Sequence, residues 1–175
     1  IMGYGFIANI HLESYERFVP DAEVVAVYGR NEEKGKAFAK EHGIAQYYTD
    51  MDDMLAKSGC DVVDICLPTY LHAEVAIAAL QAGKHVLCEK PMALNLEQCD
   101  RMLEAAVKAK GRFMIAQCVR FWPEYRYLKE IVDDQRFGPL KSLHLRRQAF
   151  LPLYTMANWL MDESIAGGMV MDLHV

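Results

Sequence analysis

Glu89, Lys90 and Pro91 follow directly on a short apolar run, His85-Val86-Leu87-Cys88. The run lies between Gly83 and Pro91 and reads as a buried strand. A carboxylate, an ammonium and an imide ring therefore stand in order at a strand's carboxyl end. Open parallel sheets bind ligands outside that end of their strands. A lysine held there by a rigid proline can reach a bound ligand. Taken by itself, the same pair also reads as an ordinary surface Glu-Lys couple.

A second group sits at the start of the chain. Gly3-Tyr4-Gly5-Phe6-Ile7-Ala8 spells G-x-G-x-x-A. In a dinucleotide fold the first glycine makes a tight turn, and the second lets backbone approach a pyrophosphate. The third small residue lets helix and strand pack closely. The helix that follows offers its unpaired N–H groups to the phosphates. Only the last residues of the strand that should precede the motif are present. The next predicted strand, Glu23 to Tyr28, ends in Gly29-Arg30-Asn31. An acidic residue there would hold the ribose 2′-hydroxyl of NAD, and Gly29 offers none. Arg30 could pair with a 2′-phosphate or lie on adenine, which favours NADP. Asn31 could still bond a hydroxyl, so NAD stays open.

The intervening elements alternate. Predicted helices run from Ala8 to Val19, Asn31 to His42, Asp50 to Ser58, His72 to Gly83 and Asn95 to Lys110. Asn31, Asp50 and Asn95 are placed as N-caps, and Gln98 completes a capping-box-like start. Predicted strands lie at Gln46–Tyr48, Asp61–Leu67, His85–Cys88 and Phe113–Gln117. Strand–helix alternation predicts a doubly wound parallel sheet over residues 1–118, a dinucleotide-binding domain. After Cys118 the pattern shifts. Pro123 opens a helix to Gln135, Gly138-Pro139 turns the chain, and Lys141 to Phe150 is strand-like. Met169 to Val175 reads as helical. Residues 119–175 are expected to begin a second domain that is incomplete, so the chain is expected to be a fragment of a longer protein.

Composition excludes several classes. Apolar residues make up 53% and charged residues 25%, enough for a packed core. A net charge of −5 without a long basic run argues against nucleic acid as partner. No apolar stretch reaches membrane-span length, and no signal peptide is visible. The five cysteines form no CxxC pair, which suits reduced thiols in a cytoplasmic protein. No His/Cys/Asp set has metal-ligand spacing along the chain, so no metal is expected. His11, His42, His85 and His144 read as structural or surface residues.

Five stretches together resemble the Gfo/Idh/MocA oxidoreductases. They are Gly3-x-Gly5-x-x-Ala8, Pro68-x-x-x-His72, Glu89-Lys90-Pro91, Arg120-Phe121-x-Pro123 and Gly167-Gly168 leading to Asp172. The resemblance implies an N-terminal Rossmann domain and a C-terminal α/β domain on a mostly antiparallel open sheet. That sheet would make a homodimer or homotetramer. It implies hydride transfer between NAD(P) and a hydroxyl-bearing carbon of a sugar, polyol or related diol. Lys90 would contact the reacting hydroxyl, with Glu89 orienting it or bonding the cofactor, and Pro91 would follow a cis peptide. Pro68, Thr69 and His72 would line the cofactor's nicotinamide end. Arg120 would reach the substrate, or serve only as a domain-linking ion pair. Asp172 would be the second catalytic residue, or merely a helix cap. The family pairs that Asp with a His four residues on, at the position after Val175. His174 is no substitute in a helix, because two residues turn about 200° and four about 40°. A non-catalytic dinucleotide-binding sensor on the same fold is the other reading.

Overall fold

The structure, a computed structural model, describes residues 1–146, 162–168 and 171. Its organising feature is the extended segment formed by the first three residues. Met2 N–H donates to Asp64 O (2.7 Å), and Cys66 N–H donates to Met2 O (2.8 Å). On the other side Gly3 N–H donates to Tyr28 O (2.9 Å) and Tyr28 N–H to Ile1 O (3.0 Å). Residues 1–3 thus lie between β1 (Ala26–Tyr28) and β3 (Val62–Ile65). β2 (Gln46–Tyr48) pairs with β1, while β4 (His85–Cys88) and β5 (Phe113–Ile115) continue beyond β3. Every pairing in this sheet is parallel. The order is β2, β1, residues 1–3, β3, β4, β5, so the sheet extends outward in both directions from residues 1–3. That reversal is the topological switch point at which such sheets bind ligands.

Parallel neighbours need crossovers, and helices supply them. α1 (Phe6–Phe18), α2 (Glu32–Glu41), α3 (Met51–Lys57), α4 (His72–Gln81) and α5 (Leu96–Lys108) follow in turn. The polar caps fall where the sequence puts them. Asn31 Oδ1 accepts from Lys34 N–H, Asp50 Oδ1 from Asp53 N–H, and Asn95 Oδ1 from Gln98 N–H. Gln98 Oε1 reaches back to Leu94 N–H (3.0 Å), so the box at α5 closes one residue before its cap.

Strand side chains alternate between two faces. Met2, Val63, Ile65, Val86 and Cys88 face one side with Met54, Leu80 and Met102. Ile1, Val27 and Cys66 face the other with Ala8, Leu12 and Phe38. Burying one such large apolar side chain contributes about 2 kcal/mol. The alternation also turns Asp64 toward the face that α1 covers.

The chain divides into two compact units. One holds residues 1–116 and the described residues from 162 onward; the other begins at residue 117. In the first, α7 (Glu163–Ala166) packs on the 3-10 turn Thr69–Leu71, with Ala166 buried. In the second, a 3-10 turn at Cys118–Phe121 leads into α6 (Pro123–Asp133), with Pro123 in its first turn.

The strand-like run from Lys141 is a correction. Residues 141–146 are irregular and exposed, and no strand follows β5 among the described residues. Leu143 and Leu145 alternate correctly, but a strand also needs neighbouring backbone to pair its N–H and C=O groups. The described residues supply none, so the mostly antiparallel sheet of the second domain is not part of the described fold. Residues 147–150 lie outside the described residues.

Candidate active site

At the switch point, Gly3 has φ +105°, and a Cβ there would come within 2.5 Å of Cys66 O. Only glycine lets this turn pass so close to β3. Gly5 is the N-cap of α1, and a Cβ on it would meet nothing within 4 Å. No side chain caps α1, and its first turn has no acidic residue. The geometry fits a dinucleotide: backbone can approach a diphosphate, and the positive end of a thirteen-residue helix faces that approach. Phe6 is exposed, Ile7 half-buried and Ala8 fully buried against the sheet.

One sheet position further lies β4, whose end carries Glu89, Lys90 and Pro91. Glu89 N–H donates to Ile65 O (3.0 Å), which keeps the residue in the sheet. The Lys90–Pro91 peptide is cis, as expected. Glu89 is held at both oxygens. Oε2 accepts the backbone N–H of Lys90 (3.0 Å), and Oε1 lies 3.0 Å from His11 Nε2.

That histidine was missed from sequence. His11 Nδ1 lies 2.8 Å from Asp64 Oδ2, which also accepts from Tyr15 O–H (2.8 Å). Cys66 Sγ is 3.4 Å from His11 Nδ1. Burial by itself would lower the imidazole's pKa, but hydrogen bonds to Asp64, Cys66 and Glu89 outweigh it and push it up to about 12. His11 is therefore an imidazolium between two carboxylates. Burial pushes the Cys66 thiol up to about 11. A signal existed in the chain: Asp64 stands inside an apolar strand, and a buried carboxylate needs a partner. His11 and Tyr15, four apart, share the helix face that meets it. His11, Asp64 and Cys66 also bring three possible metal-ligating atoms within 4.8 Å of one another. Spacing along the chain does not reveal that grouping. Here the imidazolium is the cation that the carboxylates hold.

His72 is 1% exposed and tied at both nitrogens. Nδ1 lies 2.8 Å from Pro91 O and Nε2 2.8 Å from Leu67 O. Burial lowers its pKa, so a neutral ring donates to one of these carbonyls at a time. It fastens the β3 turn to the Lys90–Pro91 loop from below. Pro68 caps the 3-10 turn, and Thr69 is buried, its Oγ1 without a hydrogen-bond partner among the described residues.

At the β1 end, Gly29 is covered by the Tyr4 ring, and any Cβ there would fall inside the ring's edge. Tyr4 O–H in turn accepts Asn31 N–H (2.9 Å). Arg30 is exposed, and its guanidinium donates to Tyr70 O–H (3.1 Å). The structure thus brings Gly3, Gly5, Arg30, Pro68, Thr69, His72, Glu89, Lys90 and Pro91 to the carboxyl-end rim of one sheet. Arg120 belongs to the second unit, exposed in the Cys118–Phe121 turn. Asp172 lies outside the described residues.

The profile of the oxidoreductase family with an NAD-binding Rossmann fold matches residues 1–117. The chain belongs to the Gfo/Idh/MocA family. It is 37% identical, over its full length, to the Bacillus subtilis scyllo-inositol 2-dehydrogenase (NADP(+)) IolU, 54% of which is covered. It is similar to the WlbA dehydrogenase of Chromobacterium violaceum solved with NADH and UDP-GlcNAcA. That match has 33% identity and a TM-score of 0.74, over 78% of this chain and 39% of that one. The scyllo-inositol dehydrogenase of Lactobacillus casei, solved with NAD(H) and scyllo-inositol, matches at 30% identity and a TM-score of 0.73. The match covers 78% of this chain and 41% of that one. The chain spans about half the length of the curated Gfo/Idh/MocA relatives it matches. Among the described residues no helix is long and apolar enough to cross a membrane.

Proposed function

We propose that this protein is an NAD(P)-dependent dehydrogenase that moves a hydride between the nicotinamide and a hydroxyl-bearing carbon of a polyol or sugar. The observation that carries this is the placement of Lys90. It stands at the carboxyl end of β4, one strand from the β3 edge of the switch point, with its backbone N–H held by Glu89. Bound at the glycine turn, a nicotinamide coenzyme supplies the hydride acceptor. Lys90 stabilises negative charge on the substrate oxygen as the hydride leaves. Asp172 assists at the same oxygen, and Arg120 contacts the substrate. Pro68, Thr69 and His72 shape the nicotinamide end. Residues from 119 onward begin the substrate and oligomerisation domain, and the protein is a cytoplasmic homodimer or homotetramer.

The β1 end supports NADP over NAD. The Tyr4 ring leaves no room at Gly29 for the carboxylate that would select a 2′-hydroxyl. Arg30 supplies a cation on the exposed side. The dehydrogenase named for NADP(+) among the relatives is consistent with this.

The test is a screen of full-length protein with NAD⁺ and NADP⁺ against inositols, sugars and vicinal diols, following nicotinamide absorbance. Turnover with a polyol is expected, with kcat/KM higher for NADP⁺. Lys90→Met is expected to lower kcat by about 10²-fold or more without unfolding the protein. An unaltered kcat in that variant removes the role given to Lys90. No coenzyme reduction with any polyol defeats the dehydrogenase reading.

A further inference from the structure

Asp64 on β3 and Glu89 at the end of β4 project from adjacent strands toward α1. Two carboxylates side by side repel each other in a dry interior. His11 sits between them, 2.8 Å from one and 3.0 Å from the other. An imidazolium has two N–H groups pointing in nearly opposite directions, so it donates to both at once. Among the described residues, the other titratable groups that face this cluster are Tyr15 from α1, Cys66 just after β3, Cys88 at the end of β4, whose thiol donates to Glu89 O (3.4 Å), and, further off, the Ile1 ammonium and His72. Tyr15 O–H donates to Asp64, and Cys66 S–H faces Asp64 Oδ1 at 3.7 Å. Asp64 is thus fixed by three neighbours, and it fixes His11. Along the chain of contacts, Asp64 orients His11, His11 holds Glu89 Oε1, and Glu89 Oε2 holds the Lys90 backbone N–H.

We propose that His11 is a positioning residue for Lys90, acting through Glu89. The inference rests on the catalytic role assigned to Lys90 above and adds what fixes that residue's place. Without His11, the Glu89 carboxyl stands beside Asp64 with no donor between them and turns toward water. Its grip on the Lys90 backbone goes with it. Helix α1, whose first turn meets the coenzyme, is thereby linked rigidly to the residue that meets the substrate.

The test uses full-length protein carrying His11→Gln, Glu89→Ala, both together, and Tyr15→Phe. His11→Gln is expected to lower kcat on the order of tenfold or more, because small misplacements of a reacting group are costly. KM for coenzyme and polyol should stay within about threefold, as an interaction realised at the transition state predicts. The double variant should be no slower than Glu89→Ala alone, since both changes cut one chain of contacts. Tyr15→Phe removes one of the three groups that fix Asp64 but leaves His11 bonded to both carboxylates, so kcat should fall less than in His11→Gln. Amide exchange of the Lys90 N–H, followed by NMR without coenzyme, should speed up about tenfold or more in both His11→Gln and Glu89→Ala. Wild-type kcat in His11→Gln, additive losses in the double variant, or unaltered Lys90 exchange overturns the proposal. If the wild type oxidises no polyol, the dehydrogenase reading fails while the exchange measurement still decides this one. If His11→Gln does not fold, His11→Asn and Glu89→Ala carry the same exchange test.

Discussion

Raising the pH from 7 to 9 should weaken this protein through His11. In the folded state the imidazole keeps its proton up to about 12, against 6.5 for an ordinary histidine. Its contribution is fully present below 6.5 and is lost as pH climbs toward the folded value, because the unfolded chain gives up the proton first. The slope inside that window is about 1.4 kcal/mol per pH unit, so two units cost about 2–3 kcal/mol. The side chain is 13% exposed, so solvent screening takes away little. Urea unfolding of wild type and His11→Gln at pH 7, 8 and 9 measures it. Wild type should lose its advantage over the variant steadily, and groups common to both cancel in the difference. From about pH 9 upward Cys66 and Cys88, whose pKa values burial raises, add losses of the same sign. His72 acts oppositely: burial lowers its pKa, so its contribution is lost as pH falls below 6.5. A constant gap between the two proteins from pH 7 to 9, or imidazole NMR shifts that titrate near the ordinary value, would refute the doubly paired imidazolium.

Two further outcomes test the local structure. Gly29→Ala should destabilise by about 1–3 kcal/mol, because its methyl displaces Tyr4 and with it the bond to Asn31 N–H. Thermal unfolding reads it directly, and Tyr4→Ala in the same chain should recover part of the loss. Asn95→Ala removes the cap that accepts Gln98 N–H and should cost about 1 kcal/mol, measured as a shift in the urea midpoint.

The sequence announced those elements whose cause is local. Asn31, Asp50 and Asn95 cap helices because an oxygen three bonds from the backbone suffices, and any reader of the chain can see it. Gln46–Tyr48 and His85–Cys88 begin and end as expected, since turns bracket both. The strand at residues 1–3 was legible only as a remnant, because nothing in three residues says that two other strands will enclose them. The rim residues from Gly3 to Pro91 could be named through motif and resemblance. The support beneath Lys90 could not. His11, Asp64 and Glu89 are 53 and 78 residues apart along the chain, and only the fold makes them neighbours. Lys141 onward misled for the reverse reason: its alternation is that of a strand, but alternation describes one chain, while a strand needs two.

Met2 is hydrogen-bonded to β3 and flanked by residues bonded to β1, and among the described residues no other backbone hydrogen bond joins the two halves of the sheet. A peptidase that clipped this segment would leave two small parallel sheets, each with a fresh apolar edge lined by unanswered amides. Such edges recruit strands from other molecules. Loss of this pairing would therefore show itself as self-association well before it registered as a lower melting point.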